Sequence, residues 1–250
     1  MDIGILRLKP NIKIFFRLAI LAAACWVYLS SSLLAADKHT ILGTNAQFST
    51  GDYKIISDIK VSGLQIRHVR QIDQNNCAQK SQHDDHIEMN GGINPDTPYI
   101  IEKLLDRIES SPNRCFSKNG KKLAVFVYLN SGGGYMRDGY KLGEVFRKHQ
   151  VRTQLTFGSE CFSSCATAFL GGKYRRMQNT STLMFHAPYV YQSRYDIVCS
   201  KDDGKLKAYM QKMLNEADGA YLYDRTMSYC SQVSGWTLNN DAADIFGLLN

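Results

Sequence analysis

The spacing of apolar side chains divides the chain near Ile87. Ahead of that point residues 37–60 are polar and mixed, and between about Ile56 and Gln71 the alternating Ile59, Val61, Leu64 and Ile66 predict one or two strands. From Ile87 the pattern becomes regular. Ile87–Met89 reads as a short strand, Gly91-Gly92 as a turn, and Thr97-Pro98 as a helix N-cap followed by proline at the first helical position. Ile101, Leu104, Leu105 and Ile108 then fall at i, i+3, i+4 and i+7, one face of that helix. The run LAVFVYLN, Leu123–Asn130, is nearly all apolar, as a parallel strand covered on both faces requires, and it ends in Ser131-Gly132-Gly133-Gly134. Leu142, Val145 and Phe146 mark the next helix, and Val151–Phe157 another strand. Ser164–Gly172 is a helix of small residues ending at glycines, and Thr182–Phe185 a strand running into His186. Lys205 to about Tyr229 reads as one long helix with Leu206, Met210, Met213 and Leu214 on one side. Strand and helix alternate without any internal repeat, which predicts an α/β domain with crossover connections.

The first residues follow a different rule. Arg7, Lys9, Lys13 and Arg17 precede an uncharged stretch, residues 18–36, which gives way to Asp37-Lys38-His39. A basic segment, an apolar segment and a small-residue exit form a secretory signal, with cleavage after Ala35 or Ala36. The same stretch is also about long enough to stay in a bilayer as an uncleaved anchor. Lipid attachment at Cys25 is the weaker alternative, because the apolar run continues past it. Signal and anchor both place Asp37–Asn250 outside the cytoplasm, in the periplasm or beyond. Six cysteines then remain, at 77, 115, 161, 165, 199 and 230, an even number that suggests disulfides in an oxidising compartment. Only Cys161 and Cys165, four apart, are close enough in sequence for a local bridge to be expected.

Charge changes little once the leader is set apart. Of the formal +7, residues 1–36 hold four basic side chains against Asp2, so +4 remains over the rest of the chain. No sequence cluster of basic residues accompanies it, and nucleic acid is not an expected partner. The composition, 44% hydrophobic and 21% charged with 19 Gly and 5 Pro, excludes disordered and collagen-like chains. Cys77, His83, Asp84, Asp85 and His86 lie close together, but their spacing fits no standard zinc pattern; they read as a solvated loop, and neither metal nor cofactor is expected.

Three features with chemical potential fall at the ends of successive predicted strands, where open α/β sheets build sites. Gly132–Gly134 lets backbone N–H groups approach a ligand with no side chain in the way. Ser163 and Ser164, inside Cys161-Phe162-Ser163-Ser164-Cys165, lie at a strand-to-helix junction, where a hydroxyl meets the unpaired N–H groups of a helix start. His186 supplies an imidazole, the usual base for activating a serine. Each has a plain structural role: a turn, a helix cap, a strand-end histidine. Their order suggests more.

VYLNSGGGY, SECFSSCATAFLGG and STLMFHAPY together resemble the proteolytic subunit of the Clp protease and its relatives in the Clp/crotonase superfamily. The resemblance spans Ile87–His186, with a weaker match in TLNNDAADIFGLLN at the C-terminus. It implies repeated β-β-α units around a parallel sheet, with residues 1–36 as leader, 37–86 as a polar extension with short strands, and 87–250 as the Clp-like domain. It also implies an exported, ATP-independent serine peptidase. Ser163 would be the nucleophile, with Ser164 the alternative; His186 would be the base, and the N–H groups of Gly134 and Ser164 would form the oxyanion hole. Gly132 stands where the family has proline. Exported relatives tend to carry Cys-x-Ser-x-Cys here, which Cys161, Ser163 and Cys165 satisfy. The family's orienting Asp has no clear counterpart: Asp224 falls before its place and Asp241 after, and Gln232, a backbone carbonyl or water could serve instead. A peptide substrate, a homo-oligomer and membrane attachment through residues 18–36 are the partners to consider. A catalytically inactive scaffolding module and a crotonase-type thioester enzyme are the rival readings.

Overall fold

The computed structural model describes residues 53–71, 85–112, 114, 116, 119–194, 196–200, 204–231 and 233–250. The leader and the residue 75–84 part of the predicted loop lie outside these. Among the described residues no helix is long and apolar enough to cross a membrane.

One mixed sheet of six strands organises the domain. β1 (Tyr53–Val61), β2 (Leu64–Gln71) and β3 (Asp85–Gly91) run antiparallel, and β3 continues in parallel with β4 (Phe126–Asn130), β5 (Arg152–Leu155) and β7 (Tyr174–Met177), in the order β1-β2-β3-β4-β5-β7. A second sheet pairs β6 (Glu160–Phe162) in parallel with β8 (Thr182–Phe185), and β11 (Trp236–Leu238) antiparallel on its far side. β9 (Tyr189–Tyr191) and β10 (Ile197–Cys199) form a hairpin beyond His186. Three-residue strands such as β6 and β11 carry too few side chains to show a period, so no pattern announced them.

Alternation assigns the two faces of the main sheet. Ile87 and Met89 with Val127 and Leu129 join the main core, together with Ile101, Leu104, Leu105 and Ile108 of α1 (Thr97–Glu109) and Leu142, Val145 and Phe146 of α2 (Met136–Lys148). Phe126 and Tyr128, pointing the other way, form a separate small cluster. Near its N-terminal corner the sheet buries an ion network. Asp85 accepts from Arg70 Nε at 2.8 Å and lies 2.5 Å from His68 Nε2. Arg114 Nη1 stands 3.6 Å from the same carboxylate.

Two expectations need correcting. The α1 N-cap is Asp96 rather than Thr97, which is already helical, and the Thr97 hydroxyl accepts from the Asn94 N–H. The long helix from Lys205 is two helices, α4 (Lys205–Met213) and α5 (Glu216–Met227). Asn215 breaks it, because its side chain caps α5 by accepting from Asp218 N–H at 2.9 Å. Gly219 lets α5 press onto α4: a Cβ there would collide with the Gln211 backbone. Leu206, Met210 and Met213 of the predicted stripe are buried on α4. The C-terminal segment forms α6 (Asn240–Ile245) and then turns at Gly247, φ 67°.

Candidate active site

Ser163 joins β6 to the six-residue helix α3 (Ser164–Phe169) in a backbone conformation that L-residues rarely adopt, φ 56° and ψ −121°. A non-glycine residue held there costs about 1–3 kcal/mol and persists only where its surroundings enforce it. Here three constraints do so. The Ser163 N–H donates to Met184 O at 2.8 Å, its carbonyl accepts from Thr167 N–H at 3.1 Å, and a disulfide joins Cys161 to Cys165 across the turn, Cα–Cα 5.1 Å. The bridge expected from the four-residue spacing is therefore present.

The glycine loop lies against this turn. β4 ends at Asn130; Ser131 N–H then donates to Glu160 O at 2.7 Å, while Phe162 N–H donates back to Ser131 O at 3.0 Å, so the loop runs beside β6. Ser131 Oγ accepts from Gly133 N–H at 3.1 Å and shapes the bend, a role that the Ser-x-Gly sequence could have signalled. Gly133 has φ 99°, and a Cβ on it would come within 2.6 Å of Phe162 O and 2.9 Å of Ser163 Cβ. On its other side the loop is fixed by Ile93 N–H donating to Gly133 O at 2.8 Å. Glycine is thus required by contact as well as by conformation. Among the described residues neither the Gly134 N–H nor the Ser164 N–H meets a backbone acceptor.

The two serines differ in access. Ser163 is half-buried, whereas Ser164 is fully buried, and its hydroxyl has no hydrogen-bond partner. Ser164 faces α2, where Gly139 is needed because a Cβ would approach Ser164 Cβ within 2.7 Å.

His186 follows β8, two residues beyond the Met184 that pairs with Phe162 and receives the Ser163 N–H. It is 5% exposed, and its Nδ1 lies 2.9 Å from the Ala187 carbonyl oxygen. A carbonyl only accepts, so Nδ1 carries a proton, and in the neutral ring the lone pair is on Nε2. The ring of Tyr189 lies beside it, centroids 5.6 Å apart. No hydrogen bond links His186 to Ser163 among the described residues. Neither carboxylate considered for orienting it arrives: Asp224 is exposed on α5, and Asp241 is exposed at the start of α6, bonded by Asn240. Gln232 lies outside the described residues.

A second disulfide, which no spacing could reveal, secures the segment after His186. Cys199 at the end of β10 is bonded to Cys230, and the neighbouring Tyr229 carbonyl accepts from Ala187 N–H at 2.8 Å. Asp85 and His86, expected in a solvated loop, instead open β3 and are buried; Asp85 is engaged with Arg70 and His68, and among the described residues no group of three His, Cys, Asp or Glu side chains is placed to hold an ion.

Comparison with known proteins agrees with the architecture. No family model matches the chain, and no curated protein matches its sequence. Among solved structures it is similar to 1510-N, a membrane-bound stomatin-specific protease, at TM-score 0.50 and 14% identity, covering 66% of this chain and 75% of that one. The same protease in complex with a substrate peptide gives TM-score 0.49 and 15% identity over 66% of this chain and 71% of that one. ClpP1 from Listeria monocytogenes gives TM-score 0.48 and 15% identity over 66% and 88%. The fold is thus similar to that of the stomatin-specific protease, an α/β architecture with a largely parallel central sheet.

Proposed function

We propose that the chain is a serine hydrolase acting on peptides, with Ser163 as nucleophile. The observation that carries the proposal is the strained Ser163 turn, held between β6 and α3 by a disulfide and set beside a glycine loop. Turns of this kind present a nucleophile at the start of a helix, clear of its own strand. Accessibility favours Ser163 over Ser164.

In the proposed reaction Ser163 Oγ attacks the substrate carbonyl carbon while its proton passes to His186 Nε2. The carbonyl oxygen becomes an oxyanion held by the N–H groups of Gly134 and Ser164, and one such donor is worth roughly 10²–10³ in rate. His186 then returns the proton to the leaving amine, and water, deprotonated by the same imidazole, resolves the acyl-enzyme. The Ala187 carbonyl would set the tautomer that an aspartate sets elsewhere. It cannot add a full negative charge to stabilise the imidazolium, so slow turnover is expected. Peptide as substrate class comes from the likeness in fold to the stomatin-specific protease. Two disulfides support an extracytoplasmic setting, with residues 1–36 as signal or anchor, residues 87–250 as the catalytic domain, and no dependence on ATP.

A fluorophosphonate probe tests the proposal. The wild type is expected to label, Ser163→Ala and His186→Ala to lose labelling, and Ser164→Ala to retain it. Labelling that survives Ser163→Ala, or a folded wild type that never labels, would refute it. The second reading, an inactive scaffold on the same fold, is favoured by the lack of a carboxylate on His186 among the described residues and predicts that last result.

A further inference from the structure

We infer that the chain carries a second, anion-binding site, at the opposite end of the main sheet from Ser163. The glycine loop follows the C-terminal end of β4, whereas a cleft of about 710 Å³ opens where β4, β5 and β7 begin. Five residues of strand separate the two ends, roughly 13–17 Å.

The cleft is lined by Arg114, Lys121, Lys122, Lys148, Arg152 and Lys173. These residues come from four separate stretches of sequence, so folding creates a basic cluster that the linear chain does not display. Glu109 is the only carboxylate among the described lining residues, and its Oε1 is engaged by His149 Nδ1 at 2.8 Å. Lys148 is paired with Glu102 at 2.6 Å and Arg114 lies 3.6 Å from Asp85, yet six cations against these two acids and Glu109 still leave the cleft positive, which favours a multiply charged counter-ion.

The cluster is also positioned in advance. The Arg152 guanidinium lies over two rings, 5.3 Å from the Phe126 centroid and 4.8 Å from that of Tyr174. Arg114 is pinned by the Leu123 carbonyl and by Asp85. Lys122 Nζ is held by the Glu109 carbonyl at 2.7 Å. The exposed Lys173 ammonium meets no carboxylate among the described residues. Ordering cations before the ligand arrives lowers the entropy lost on binding. A concave site of this volume suits a small molecule better than a flat membrane surface. The ligand class is therefore a small molecule with several phosphate groups, for which arginine forks and lysine point charges are the usual partners.

Calorimetric titration of the purified full chain with inorganic tripolyphosphate tests this, with sodium chloride at matched ionic strength as control. Saturable binding is expected, weakened at least tenfold in Lys121→Glu/Lys173→Glu, two surface changes that leave fluorophosphonate labelling at the wild-type level. Arg152→Gln, removing the stacked cation, is expected to weaken it as well. Heat equal to the salt control, or equal affinity in wild type and both variants, would overturn the inference. Retention on phosphatidylglycerol vesicles without tripolyphosphate binding would also overturn it, making the surface a membrane-facing patch.

Discussion

The Cys161–Cys165 disulfide offers the sharpest separation of stability from chemistry. With a sequence separation of 4, its loop is small, and the chain-entropy relation assigns it about 2 kcal/mol. Cys199–Cys230, separated by 31, is assigned about 3.7 kcal/mol on the same basis. At about 2–4 °C per kcal/mol for a domain of this size, opening the first should lower Tm by about 4–8 °C and opening the second by roughly twice as much. The chemical ranking runs the other way. The short bridge spans the Ser163 turn, whose conformation costs about 1–3 kcal/mol to hold. Without the bridge that strain opposes only the Met184 and Thr167 hydrogen bonds, and relaxation of the turn misaligns the hydroxyl. Because 1.4 kcal/mol corresponds to about tenfold, Cys161→Ala/Cys165→Ala should label with fluorophosphonate about 10- to 100-fold more slowly. Cys199→Ala/Cys230→Ala should lose more Tm and less labelling. Both are measurable on the same samples by thermal unfolding and pseudo-first-order labelling. If the Cys161/Cys165 variant drops in Tm as stated yet labels at the wild-type rate, the disulfide does not hold the serine and the reasoning fails.

Gly133→Ala places a Cβ 2.6 Å from Phe162 O and 2.9 Å from Ser163 Cβ, so labelling should fall at least tenfold with a stability loss of about 1–3 kcal/mol in denaturant titration. Burial alone would raise the Asp85 carboxyl, but hydrogen bonds and charge from His68 and Arg70 outweigh it and hold it below its ordinary 3.8. A lowered folded-state value gives stability present above the unfolded pKa and lost as pH falls through the folded one. Asp85→Asn should therefore cost about 3–5 kcal/mol at pH 7, leaving the Arg70 guanidinium uncompensated, with a gap from wild type that narrows below about pH 4 in urea titrations. Arg147 donates to the carbonyls of Leu170, Gly171, Gly172 and Met213 at 3.0–3.4 Å, closing the end of α3. Arg147→Lys, a point charge in place of a fork, should recover little of the Tm lost in Arg147→Ala.

Sequence pattern by itself determined the alternation of strands and helices. The i, i+3, i+4, i+7 run in α1 and the apolar run through β4 are local consequences of which faces must be buried, and so could be read from the chain. The order Gly132–Gly134, Ser163, His186 also followed from sequence, since each sits where a predicted strand ends. So did the Cys161–Cys165 bridge, because four residues leave few geometries. Tertiary structure alone decided the rest. Ser163 and Ser164 are neighbours with equal chemistry, and only packing against Gly139 buries one and leaves the other accessible. The partner of His186 Nδ1 is a backbone carbonyl, which every residue possesses and no sequence can distinguish. Cys199 and Cys230 meet because the β9–β10 hairpin and the end of α5 converge, one outcome among many pairings. The basic cleft collects cations from segments distant in the chain, where summed charge was small. Burial and periodicity act between near neighbours and leave their mark in sequence; convergence of distant segments depends on the whole packed core and leaves none.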